Sequence, residues 1–254
     1  MTAHAKPDVT IRVEHGNWGN ADTADIKSVL ESVADELLKN VSSVHKLAII
    51  VRHDLRGPRT LYRREQNGEF VVWLNVTDRR WAQLAYQFGH ELNHVLTINK
   101  KNSPTPNQWF EESVGEAASL YAIRKMADSW HVSPPYPNWQ SYSGSLRNYV
   151  EAQIAEEHRK LPAGKTFIQW FKENEPSMRA DPYLRPKDEL VAGQLLGYFE
   201  NYDGGWDAVS FINRTKPTSG QTFRQYLENW HRDAPARHRP FIKSIGELFG
   251  NNVR

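Results

Sequence analysis

The chain has no cysteine among its 254 residues. That excludes a disulfide framework and any metal site built on thiolates. No apolar run approaches the roughly 18 residues that a membrane-spanning helix needs. An excess of one charge is also missing. Lys and Arg total 32 against 30 Asp and Glu, a net +2, too mild to imply nucleic acid as a partner. The one basic stretch, His231–Pro240, is interrupted by Asp233, Pro235 and Pro240 and reads as a solvated connector between helices. No internal repeat or low-complexity tract stands out. No signal-peptide apolar region is visible, although Ala3-His4-Ala5 resembles the small-residue end of a cleavage site. On that hint a secreted or periplasmic location is favoured over a cytoplasmic one. Hydrophobic content of 39% and charged content of 24% are ordinary for a globular protein. The length suits one large domain or two lobes around a cleft.

What the chain does contain is His90-Glu91-Leu92-Asn93-His94, an HExxH motif. On a helix, residues four apart lie about 40° from each other around the axis. His90 and His94 would then share a face and could grip one Zn²⁺. Glu91 sits beside them as a candidate base for a metal-activated water. The surroundings are helical. Trp81, Leu84, Ala85, Phe88, Leu92, Val95 and Leu96 recur at three- and four-residue spacing, while Gln83, Gln87, His90 and His94 form a polar stripe. This predicts a helix over about 78–99, with Thr77 or Asp78 as its cap. The plainer alternative is a pair of core-edge histidines bonded to their neighbours.

Catalytic zinc favours three protein ligands and one open position. Thr105-Pro106-Asn107-Gln108 looks like a capping box with Pro at the first helical position. It would open a second helix over 109–119. Seventeen residues separate His94 from Glu112, enough for a turn and two antiparallel helices. Glu111, Glu112 and Glu116 compete for the third place. Glu111 and Glu112 are about 100° apart, so both cannot face the metal. If Glu112 binds, Glu116 lies one turn on and can accept the free ring N–H of a ligating histidine, as such histidines usually require. If Glu116 binds, the residue one turn on is Leu120, which accepts nothing. Glu112 is therefore the preferred ligand and Glu116 its supporting partner. Gly115, Ala118 and Ser119 are small and would let the two helices lie close.

HELNH at 90–94 and WFEESVGE at 109–116 resemble the pattern of the gluzincins, zinc metallopeptidases with HExxH and a glutamate ligand on the following helix. The second segment looks like the Trp-x-x-Glu of their aminopeptidase branch, with Glu112 on the ligand glutamate. The resemblance covers residues 68–122. It departs elsewhere. No Gly-x-Met-Glu-Asn motif is present, so the glutamate that grips a substrate's amino terminus has no counterpart. Thr97 stands where HExxHxxGxxH has glycine, which argues against the metzincins. The resemblance implies an α+β, zincin-like fold. Residues 1–99 would form a small sheet lobe with the HExxH helix, and 100–254 a mainly helical lobe. It also implies a tyrosine or histidine from the second lobe that stabilises the oxyanion. Tyr183 is the candidate for it; Tyr136, Tyr142, Tyr149 and His131 are rivals.

The rest of the pattern agrees. Residues 8–14 alternate like a strand, 21–39 carry apolar residues at helical spacing, and 46–51 form a buried apolar run. Residues 61–64 and 69–76 flank Asn67-Gly68, a hairpin signal. The strand Phe70–Asn75 is either an exposed edge that could hold extended peptide or an interior strand. After residue 122, helices are expected near 145–159, 166–174, 187–202, 205–213, 220–230 and 238–248. The Pro- and aromatic-rich stretch His131–Trp139 either overhangs the cleft or simply connects helices.

The expected activity is zinc-dependent hydrolysis of a peptide or protein substrate, with Glu91 as proton carrier. With an edge strand and no amino-terminal anchor, internal cleavage is expected. The alternatives are a zincin-like metal- or partner-binding protein without hydrolase activity, or a binding module in which HELNH is accidental. The oligomeric state is not legible.

Overall fold

Alternation over Asp8–Val13 and the apolar run in Lys46–His53 become strands β1 and β2. They pair in parallel, Ile11 against Ile49, and a parallel pair needs a crossover. Helix α1 (Thr23–Leu38) supplies it, started by the Asp22 carboxylate accepting from the Ala24 amide. Its buried stripe of Ile26, Val29, Leu30, Val33 and Leu37 covers the sheet. Two further strands follow, β3 (Arg59–Thr60) and β4 (Phe70–Leu74). The order is β1-β2-β4-β3, with β4 parallel to β2 and β3 antiparallel to β4. A computed structural model describes residues 6–99 and 105–253. Ala3-His4-Ala5 lies outside the described residues.

Two sequence expectations change here. The Asn67-Gly68 hairpin forms, with Gly68 at φ 84° and its amide bonded to Glu65. Its first arm, however, is Arg59–Thr60 rather than 61–64. The strand at 70–75 is not an edge. It is held between β2 and β3, and β3 is the outer strand. Phe70-Val71-Val72 is apolar on both faces, as an interior strand must be.

The sheet leads into α2 (Trp81–Thr97), which carries HExxH. Neither Thr77 nor Asp78 caps it. Asp78 adopts a left-handed conformation (φ 62°), and its carboxylate accepts from the Asn20 amide instead. Helix α3 (Gln108–Val132) follows. The capping box at 105–108 does not form. The Asn107 side chain donates to the Gln221 carbonyl and accepts from Arg179, and Gln108 turns to Glu112. The remaining body is helical: α4 (Tyr142–Ala155), α5 (Phe167–Ala180), α6 (Arg185–Glu200), α7 (Gly205–Val209), α8 (Phe223–Asp233) and α9 (Arg239–Leu248). The result is an α+β fold with a small four-stranded sheet and a mostly helical body.

Residues 131–139 do not overhang the cleft. Trp139 packs between Trp81 and Trp130, with ring centroids 5.4 and 5.3 Å away. The 231–240 connector is less solvated than its charge suggested. His238 is buried against Asp207, its Nε2 2.8 Å from the carboxylate.

Candidate metal centre

Close packing of α2 on α3 makes the site. A side chain at Gly89 would meet Ser119 Cα at 3.0 Å, so only glycine lets the backbones approach this closely. Ser119 Oγ donates to the Tyr86 carbonyl at 2.6 Å, and Asn93 Nδ2 to the Glu111 carbonyl at 3.1 Å. These bonds fix the register in which His90, His94 and Glu112 face one another. The His90 and His94 Nε2 atoms lie 3.1 and 3.3 Å from the same Glu112 oxygen. Ligand atoms from all three residues lie within 4.8 Å of one another. Four ligands at 2.0–2.1 Å in a tetrahedron stand about 3.3 Å apart along each edge. The donor spacing therefore fits a metal ion, and the group could hold one. Glu111 is buried as well but contributes no atom to the cluster.

Behind the donors the packing is specific. His90 Nδ1 lies 3.4 Å from Glu116 Oε1. Glu116 also accepts from the Tyr86 hydroxyl. The ring of His90 lies over Gly115, where a Cβ would come within 3.0 Å of Cε1 and Nδ1. Gln108 Nε2 holds the other oxygen of Glu112. Glu91 is only 3% exposed. The Thr60 hydroxyl, on the outer strand β3, contacts its carboxylate at 2.9 Å and its carbonyl at 3.0 Å.

Charge follows from burial and pairing. Burial opposes ionisation of Glu112, but the two imidazoles outweigh it and hold the carboxyl well below its ordinary range. Burial likewise opposes protonation of His90, and Glu112 and Glu116 overcome it, raising the imidazole well above its usual value. Glu116 is held down to about 2 against burial, by His90 and Tyr86. Glu91 goes the other way. Burial raises it, and His94, His90 and Thr60 only partly offset that. A bound dication would take over the role of these protons, since metal ligands must be neutral imidazole and carboxylate.

The cluster lies in a cleft of about 750 Å³ lined by β3, α2, α3 and the start of α6. Tyr183 is in its wall and 59% exposed. Of its rivals, Tyr149 also lines the cleft, whereas Tyr136, Tyr142 and His131 do not. Arg185 and Asp188, from the first turn of α6, share that wall. Asp188 is pushed up to about 9 by burial, then by Glu112 and Glu116. Sequence reading missed Thr60, Tyr86, Gln108, Arg185 and Asp188. Tyr86 and Gln108 were findable, each one helical turn before His90 or Glu112. The others arrive from distant segments.

Comparison with protein-family models, with curated proteins and with solved structures finds no match to this chain.

Proposed function

We propose that this chain is a zincin-like, zinc-dependent peptidase that cuts within an extended peptide. The observation that carries the proposal is the convergence of His90, His94 and Glu112, with both Nε2 atoms 3.1 and 3.3 Å from one Glu112 oxygen and Glu91 adjacent and buried. Two imidazoles and one carboxylate suit zinc and leave one position open. Bound zinc would supply a Lewis acid and lower the pKa of a water toward about 7. Glu91 takes the proton of the attacking water on its carboxylate and delivers it to the leaving amine. Burial raises the affinity of Glu91 for that proton, and Thr60 holds the carboxylate in place. We assign the donor to the developing oxyanion to Tyr183, on the support of its position in the cleft wall.

The outer strand supports an extended substrate. Residues Pro58–Tyr62 line the cleft. Leu61 donates inward to the Val71 carbonyl at 3.0 Å. Alternation along an antiparallel ladder then turns the backbone groups of Thr60 outward, where a peptide could add as a further strand. The edge function expected of residues 70–75 thus passes to β3.

The test is zinc content of the purified protein, paired with cleavage of an unbiased peptide library. Internal cleavage that is equal for free and N-acetylated forms of the best peptide is expected. Glu91→Gln should keep zinc and lose turnover by orders of magnitude, because an amide cannot accept the proton. Release of single amino-terminal residues, blocked by acetylation, would move the activity to the aminopeptidase class. Full zinc occupancy with no cleavage would leave a metal- or partner-binding protein.

A further inference from the structure

One cation is buried behind this site, and nothing in the chemistry above uses it. Arg159 ends the 3-10 turn Glu157–Arg159, between α4 and α5, with its side chain 2% exposed. A buried guanidinium is costly unless its charge and its N–H groups are met. The terminal nitrogens of Arg159 find partners on three helices, while its Nε has none among the described residues. Its Nη2 donates to the Tyr86 hydroxyl of α2 at 2.8 Å. The same nitrogen is 3.6 Å from Glu116 Oε2 of α3 and 3.3 Å from Glu189 Oε1 of α6. Its Nη1 reaches the Glu189 carbonyl at 3.5 Å.

Both of those carboxylates lead back to the cleft. Glu116 touches His90 Nδ1, the ring nitrogen turned away from Glu112. Glu189 Oε1 accepts from Arg185 Nε at 2.7 Å. Arg185 lines the cleft with its side chain 67% exposed, so with Nε engaged its terminal nitrogens are available to a substrate carbonyl or carboxylate oxygen. Without Arg159, Glu116 and Glu189, both nearly buried, would lose the cation they share.

We propose that Arg159 is a positioning residue. It fixes the ring of His90 through Tyr86 and Glu116, and the guanidinium of Arg185 through Glu189. Metal affinity and substrate engagement then depend on one buried cation. The proposal rests on reading His90, His94 and Glu112 as zinc ligands.

The test uses full-length protein. Zinc affinity is measured by competition with a chromophoric chelator, at a temperature where circular dichroism shows each variant folded. Arg159→Met should weaken zinc binding about tenfold or more, the range seen when partners of ligating histidines are lost. It should also change the visible absorption of the Co²⁺-substituted protein and raise KM. Arg159→Lys should recover part of each effect, because an ammonium keeps the charge but has no second nitrogen to reach the Glu189 carbonyl. Arg185→Gln should raise KM and leave zinc affinity unchanged. Combined with Arg159→Met it should add little further, since the two act along one path. A folded Arg159→Met variant with zinc affinity within twofold of wild type overturns the proposal while leaving the metal site intact. Should Arg159→Met not fold, Tyr86→Phe removes only the bridging hydroxyl. Several-fold weaker zinc binding then supports the proposal, and unchanged affinity overturns it. A wild-type chain that binds no zinc would overturn the metal-site reading and this proposal together.

Discussion

Gly115→Ala separates the metal site from the fold more cleanly than any change of a ligand. Gly115 lies inside α3 without a left-handed backbone. Alanine in a helix interior gains about 0.8–1 kcal/mol over glycine. Where a helical glycine has open space around it, the gain should simply appear. Gly197, inside α6, has nothing within 4 Å of a built Cβ, so Gly197→Ala should stabilise the chain by about that amount. At Gly115 the new methyl lands 3.0 Å from His90 Cε1 and Nδ1 and 3.1 Å from Cδ2. Ordinary carbon contacts begin near 3.5 Å, so the ring must retreat by about half an ångström. It cannot retreat freely, since Nε2 faces Glu112 and Nδ1 faces Glu116. Overpacking of this kind typically costs about 1–3 kcal/mol. Metal-free Gly115→Ala should therefore melt near the wild type, the helix gain offsetting part of the strain. Its zinc affinity should fall about tenfold, or about 1.4 kcal/mol, because the displaced ring moves His90 Nε2 away from its place beside Glu112. Calorimetry of metal-free and zinc-loaded protein, with chelator competition for affinity, measures both. Zinc affinity within twofold of wild type, in a folded variant, would refute the claim that His90 is held against Gly115.

Three other outcomes are expected. Glu112→Ala should cost far more zinc affinity than Glu116→Ala, for which about 10–100-fold is expected of a histidine's supporting partner; chelator competition that reverses the order would make Glu116 the ligand. Zinc affinity should rise with pH by about tenfold per unit while His90 remains protonated in the metal-free protein, because binding must expel that proton; a flat profile from pH 6 to 8 would contradict the His90–Glu112–Glu116 arrangement. Asp207 accepts from the Ser42 and Ser43 amides, both at 2.9 Å, from Arg237 at 2.7 Å and from His238 at 2.8 Å. Asp207→Ala should cost about 3–5 kcal/mol in urea unfolding at pH 7, since it removes the buried carboxylate that Arg237, His238 Nε2 and two backbone amides share. Burial opposes the charge on Asp207, and His238 and Arg237 outweigh that, so its folded pKa lies below the unfolded value. Its contribution is then fully present above about pH 4 and is lost as the pH falls below that. The variant should therefore lose less stability than wild type between pH 5 and pH 2.

What the sequence made legible was periodic or local. The α2 stripe placed His90 and His94 on one face because four residues nearly complete a turn. Helical angle and the need of a ligating histidine for a partner favoured Glu112 over Glu111 and Glu116 as the candidate ligand. The structure accordingly shows His90 Nδ1 beside Glu116 and Nε2 beside Glu112. Helix starts were less legible, because a capping side chain can be drawn off by a distant backbone. Asp78 went to the loop at Asn20, and Asn107 to Gln221 and Arg179. Strand order was not legible, since an apolar run such as Phe70–Leu74 reads the same at an edge or in the interior until its neighbours are known. The long-range polar partners were least legible of all. Thr60 comes from a two-residue strand and Arg159 from a single 3-10 turn, segments too short to carry a period. Yet Thr60 holds Glu91 and Arg159 lies behind Glu116. A helix can specify which residues face a metal, but what holds those residues in place comes from wherever the chain returns.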